Sequence, residues 1–277
     1  MLSKLLKYDF KALKRILVPV LLCVLGMALI GSISLTVSLR VNSENFILVN
    51  MISSLITSFM VLGIIASFMV IGVVILFNFY KSFVSNEAYL TFTLPVSIKD
   101  HMLSKMISGY VWMILSAVVI GISGFLIAFV GTAESGLFNA DAFFAMIDAI
   151  SYYFGDWTFK YTVALIQIIL MVLIYPMTVL LQYYTAIIIG GVVAKKNKLL
   201  AAIGFVFLFN FVVGFVYQIV ELIAFASLDL FTETDILGAM LSRMQIIFTV
   251  LIILFLALAA GYYFFSKHLL ENKLNLE

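Results

Sequence analysis

The 277 residues of this chain are 65% hydrophobic and 11% charged, with a mean hydropathy of +1.22, whereas soluble domains average about 45–50% apolar and about 25% charged residues. A water-soluble globule is excluded, and the chain reads as an integral membrane protein. A net charge of +2 gives no ground for nucleic-acid binding, the single Cys23 leaves neither a disulfide framework nor a cysteine metal cluster, and three prolines without a Gly/Ser-rich stretch leave no linker.

A spanning helix needs roughly 20 apolar residues at about 1.5 Å each to cross about 30 Å of hydrocarbon. Six stretches meet this, at about residues 16–39, 54–79, 106–131, 161–194, 199–227 and 244–265. Continuous apolar runs do not fit the alternating period of a barrel, and lipid offers no partner to free backbone groups, so helices are required. The expectation is an all-α polytopic membrane protein with six transmembrane helices in one transmembrane domain over residues 1–277. An even number of spans puts both termini on one side. Thirteen of the 16 Lys and Arg fall on that side and only Arg40, Lys160 and Arg243 on the other, which makes the terminal side cytoplasmic. Glu44, Glu134, Asp141, Asp148, Asp156, Asp229, Glu233 and Asp235 fall outside.

In chain order, residues 1–15 come first. At 100° per residue Leu2, Leu5, Leu6, Phe10 and Leu13 share one sector and Lys4, Lys7, Lys11, Lys14 and Arg15 the opposite one, the pattern of an amphipathic helix lying at the cytoplasmic membrane interface and attracted to lipid headgroups. Asp9 departs from it. It sits in the apolar sector, and its i±3 and i±4 neighbours are Leu5, Leu6, Ala12 and Leu13, so another helix or a partner protein is expected to receive it. About two dozen apolar residues follow with no Ala-x-Ala site, so span one reads as a retained anchor and not a signal peptide.

Residues 80–105 form the inside loop between spans two and three, with the core Asn86-Glu-Ala-Tyr-Leu-Thr-Phe-Thr-Leu-Pro-Val-Ser97. This is too apolar for a solvated connector, and Phe83, Tyr89, Leu90 and Phe92 beside Glu87 make a knob docked on the interface or on a protein. Ser97 followed by Asp100, with Pro95 just ahead, marks a helix start. A helix from Ile98 to Gly131 measures about 51 Å, about 20 Å more than the hydrocarbon requires, so span three projects into the cytoplasm. Its Ala117, Gly121, Gly124 and Ala128 at i, i+4, i+7 and i+11 predict a close-packing face.

The extracellular segment 132–160 contains an amphipathic stretch, Leu137 to Ser151, with Asp141 and Asp148 on its polar face, either a lid or an inert surface helix. Span four carries Gln167, Gln182, Tyr183 and Tyr184, and Pro176 is expected to kink it by freeing the Val172 carbonyl. Span five carries Asn210, Gly214, Gln218 and Glu221 at i, i+4, i+8 and i+11, one polar stripe. Such a stripe is a translocation wall or an interhelical hydrogen-bonding face. Glu221 lies about 33 Å from Leu199 along the helix, at the outer boundary, an interfacial carboxylate in preference to a buried proton carrier.

There is no Gly-x-x-x-x-Gly-Lys-[Ser/Thr] run, and His101 and His268 lack the spacing of a metal or nucleophile constellation. No catalytic or metal-binding residue is expected on this chain.

The leader Lys4-Leu-Leu-Lys-Tyr-Asp-Phe-Lys11 and the loop Glu87-Ala-Tyr-Leu-Thr-Phe-Thr-Leu-Pro-Val-Ser97, ending in Leu103-Ser-Lys105, resemble those of permease subunits of type-2 ABC exporters of Gram-positive bacteria. The resemblance implies an ATP-driven exporter of the bacterial cytoplasmic membrane, with ATP and Mg bound by a separate ABC ATP-binding subunit and no cofactor on this chain. It implies a second permease chain, as a homo- or heterodimer, and makes Asp9, Glu87, Tyr89, Leu94 and Pro95 candidate contacts to the ATPase subunit. That family's external re-entrant elements lie between spans five and six, whereas the longest external loop here lies between spans three and four. The apolar, aromatic-rich spans favour an amphipathic peptide, lipid or drug as cargo. The alternative is an ATP-independent membrane protein, either a proton-coupled carrier using Glu221 or an immunity protein that sequesters a membrane-active peptide.

Overall fold

The structure, a computed structural model, describes residues 2–40, 47–85, 88–89, 93, 96–132, 144–145, 147–148, 159–194, 196–226 and 236–272. Six long helices account for nearly all of them: α1 Leu2–Arg40, α2 Ile47–Phe83, α3 Ile98–Thr132, α4 Phe159–Val193, α5 Lys198–Ala226 and α6 Ile236–Asn272. Each is long and apolar enough to cross a membrane. At 29 to 39 residues they measure about 44–58 Å, so every helix exceeds the hydrocarbon thickness of about 30 Å.

The leader and span one form one helix, where the sequence reading separates them at residue 15. No helix-breaking signal stands at that boundary, and Leu, Lys, Ala and Arg are all good helix formers. Pro19 lies inside α1, and its missing N–H deprives the Arg15 carbonyl of its i+4 donor. Along the leader Lys4, Lys7, Lys11, Lys14 and Arg15 are exposed, while Leu2, Leu5, Leu6 and Phe10 are half-buried and Leu13 is buried.

The chain divides into two compact units. One comprises residues 8–75 and 111–156. Its core is built from Val24 and Ala28 of α1, Ile64 of α2 and Ile127 of α3, with Met27, Leu35, Val119 and Ile120 packed around them. The helices approach where side chains are absent: a Cβ on Gly31 would stand 3.2 Å from Met60 Cβ, and one on Gly63 would stand 2.7 Å from Met27 Sδ. Side-chain hydrogen bonds pin one end of this packet. Ser34 Oγ donates to the Ser53 carbonyl at 2.8 Å, Ser38 Oγ to Asn50 Oδ1 at 2.6 Å, and Thr36 Oγ1 to the Val130 carbonyl at 3.2 Å.

Of the small-residue face expected on α3, Ala117, Gly121 and Gly124 are exposed and Ala128 is half-buried. A Cβ at Gly121 or Gly124 would meet open space. The buried face of α3 carries Ser116, Ser123 and Ile127 instead, and the two serines satisfy themselves on the carbonyls of Trp112 and Val119, four residues back. Of the stretch Leu137 to Ser151 only residues 144–145 and 147–148 are described, as helical, with Phe144, Ile147 and Asp148 exposed. The remainder lies outside the described residues.

The other unit comprises residues 1–7, 76–110 and 157–277. A polar ladder joins α4 to α6 along its length. Gln167 Nε2 donates to the Gln245 carbonyl at 3.0 Å and to Thr249 Oγ1 at 2.8 Å; Thr178 Oγ1 lies 3.1 Å from the Phe255 carbonyl; and Thr185 Oγ1 lies 2.8 Å from Ser266 Oγ. Lipid supplies no such partners, so the bonds select one helix face and one register. Pro176 is accommodated in a related way. The Leu173 carbonyl, one residue from the predicted Val172, receives the Tyr110 hydroxyl of α3 at 2.9 Å, a neighbouring helix supplying a donor beside the proline. On its other side α4 meets α5 backbone to backbone, for a Cβ on Gly190 would stand 2.5 Å from both Cα and N of Ala202.

Candidate functional site

The helices on either side of the segment between α2 and α3 both meet α4. The closing turn of α2 is made by the amides of Val84 and Ser85, which donate to the Tyr80 carbonyl at 2.9 and 3.1 Å. Phe79 in that turn is fully buried and stacks on Tyr184 of α4, with ring centroids 3.8 Å apart and an interplanar angle of 6°. Phe83 stacks behind Phe79 at 4.7 Å. Tyr184 is 1% exposed, and its hydroxyl donates to the Lys105 carbonyl of α3 at 3.3 Å. Lys105 Nζ in turn donates to Asn78 Oδ1 of α2 at 3.4 Å. Gly191 completes the anchor, because any Cβ there would lie 2.7 Å from Val84 Cγ1.

Between these anchors the Ala88 amide donates to the Ser85 carbonyl at 2.9 Å and the Thr93 amide to the Tyr89 carbonyl at 3.1 Å. Ala88 is buried, whereas Tyr89 is 65% exposed. The start of α3 is capped as its sequence predicts: Ser97 Oγ accepts the Asp100 amide at 3.2 Å, and the Ser97 carbonyl accepts the His101 amide.

Of the five residues expected to meet an ATPase subunit, Tyr89 is thus exposed on this segment. Asp9 is half-buried within the apolar sector of α1 and is itself engaged. Glu87, Leu94 and Pro95 lie outside the described residues. On α5, Asn210 and Gln218 are exposed and Gly214 is half-buried, with open space where a Cβ would stand. Glu221 belongs to α5, its side chain lying outside the described residues. The stripe is not isolated, because Gln182 of α4 donates through Nε2 to Asn210 Oδ1 at 3.2 Å.

No family model, curated protein or solved structure matches this chain. The site is therefore read from its own residues. What sequence reasoning missed is the role of α4 as the hub, bonding to α3, α5 and α6 and stacking on α2. A signal was present, since Thr178, Gln182 and Thr185 are spaced by four and three, which places them on one helix face. Among the described residues no three His, Cys, Asp or Glu side chains come together. The Phe79–Tyr184 stack and the Gln182–Asn210 bond thus place α4 between α2 and the polar stripe of α5.

Proposed function

We propose that this multi-pass membrane protein is the permease subunit of an ATP-driven exporter in a bacterial cytoplasmic membrane, moving an amphipathic peptide, lipid or drug. A separate ABC subunit binds ATP and Mg and rests on the basic leader and the 80–105 element, with both termini on the same cytoplasmic side. Two permease chains pair around a path walled by the α5 stripe of Asn210, Gly214, Gln218 and Glu221.

The observation that carries this reading is the Phe79–Tyr184 stack with its hydrogen bond to Lys105. It ties both the helix that enters the 80–105 element and the helix that leaves it to a helix from another part of the chain. The ATPase must bind one permease state more tightly than the other, and the anchor is the element through which that difference is communicated.

The test is purification of the tagged chain from native membranes in mild detergent, followed by identification of its partners and an ATP-hydrolysis assay. Co-purification of a P-loop subunit that Tyr89→Ala or Asp9→Ala releases is the expected result. Recovery of the chain alone under several extraction conditions, with no nucleotide hydrolysis, refutes the proposal.

A further inference from the structure

A shallow, open cleft of about 370 Å³ lies beside the turn between α4 and α5. Its polar lining is Tyr80 of α2, Lys196 and Asn197 of the turn, and Lys198 at the start of α5; its apolar lining includes Leu200 and Ile203. Both flanking helix ends are closed by backbone bonds. The Ala194 amide donates to the Gly190 carbonyl and the Ala201 amide to the Asn197 carbonyl, both at 3.1 Å, and the contact of Gly190 with the Ala202 backbone leaves the two helices no room to slide.

Two lysines, a tyrosine and the first turn of α5, whose leading amides have no acceptor within their own helix, therefore border one space. The described lining carries no carboxylate to neutralise them. Leu200 and Ile203 beside this head are exposed, Leu200 at 73%, on a helix long and apolar enough to cross the bilayer. A phosphate ion would satisfy the cations and leave the apolar wall uncovered. A phosphate carrying acyl chains would cover both. Basic pockets between the ends of spanning helices suit such headgroups.

We infer that this cleft binds the phosphate of an anionic phospholipid headgroup, with the acyl chains running along Leu200 and Ile203. Lys196 and Lys198 supply the charge, Tyr80 donates a hydrogen bond, and the α4–α5 turn holds them in place. The site does not depend on a nucleotide-hydrolysing partner.

Native mass spectrometry of the full-length chain in mild detergent tests this, with dioleoyl phosphatidylglycerol and dioleoyl phosphatidylcholine as competing probes. The expected result is preferential retention of the glycerol lipid, reduced about thirty-fold in the Lys196→Gln/Lys198→Gln double variant, at roughly 1 kcal/mol per basic residue near a lipid headgroup. Lys99→Gln/Lys267→Gln, outside both the cleft lining and the basic leader, serves as the control, removing the same charge elsewhere. Equal retention by the Lys196/Lys198 variant and the native chain overturns the inference, as does an equal loss in both double variants, which would mean general surface charge. Inorganic phosphate at millimolar concentration is the third arm. Full displacement of the lipid by it would identify a free-phosphate site and overturn the lipid assignment, whereas retention supports it.

Discussion

Truncation of Tyr184 to alanine removes the ring that α4 contributes to the aromatic anchor, whereas Tyr184→Phe removes only its hydroxyl, and the difference between the two measures the stack. Tyr184 is buried to 1% exposure against Phe79 at 3.8 Å, so the alanine variant leaves a cavity that close-packed neighbours cannot fill, at roughly 3–5 kcal/mol for a large aromatic side chain. The phenylalanine variant keeps the rings and loses one hydrogen bond to the Lys105 carbonyl, about 1 kcal/mol. The assay is unfolding of the purified chain in detergent, paired with limited trypsin digestion at Lys81, Lys99 and Lys105. Tyr184→Ala should lower the unfolding midpoint well below that of Tyr184→Phe and accelerate cleavage at those lysines, since they flank the released segment. If the two variants cost the same, or if Tyr184→Ala leaves cleavage unchanged, the stack does not anchor the segment and the reasoning fails.

Gly190→Ala should destabilise the chain by at least the roughly 1–3 kcal/mol typical of overpacking, because its Cβ would meet the Ala202 backbone at 2.5 Å. Gly204→Ala on the neighbouring helix meets open space and should be neutral or stabilising by up to about 1 kcal/mol; thermal unfolding of the pair in the same detergent compares them directly. Ser97→Ala removes the α3 cap and should cost about 1 kcal/mol, seen in hydrogen exchange as faster exchange at the Asp100 amide with the rest of α3 unchanged. Gln167→Leu should cost less than about 1 kcal/mol in a denaturation series, because an interhelical bond in a membrane averages about 0.6 kcal/mol and the substitution also removes a buried Oε1 that has no hydrogen-bond partner. A loss of several kcal/mol at Gln167 would show that the α4–α6 ladder is stronger than such bonds generally are.

The six spans were legible because apolar composition is dictated by lipid at every position along them. Their ends were not. The expected span two begins near residue 54, yet α2 starts at Ile47, since Ile47, Leu48, Val49, Met51 and Ile52 are apolar as well, and these extra turns hold Asn50 and Ser53, both bonded to serines of α1. Asn50 and Ser53 interrupt the apolar pattern there, and their serine partners lie on another helix. The Ser97 cap was legible because it is a local bond between residues three apart. The Phe79–Tyr184 stack was not, since aromatic residues abound in these spans and nothing local says which two meet. The α5 stripe was visible as a periodicity, but its bond to Gln182 required knowing that α4 and α5 turn tightly at Gly190.

The chain is synthesised from its N-terminus, and the α4–α6 ladder joins residues made at different times. The Gln245 carbonyl that accepts from Gln167 lies 78 residues downstream, which at roughly 5–20 residues per second is a delay of about 4–16 s. The threonines of α4 can wait, because Thr178 and Thr185 also reach the carbonyls of Ile174 and Leu181 in their own helix. The Gln167 amide has its bonds on residues of α6. A nascent chain halted before residue 236 would present that amide to lipid or to the insertion machinery, so Gln167 makes the arrival of the last helix a chemically readable event during biogenesis.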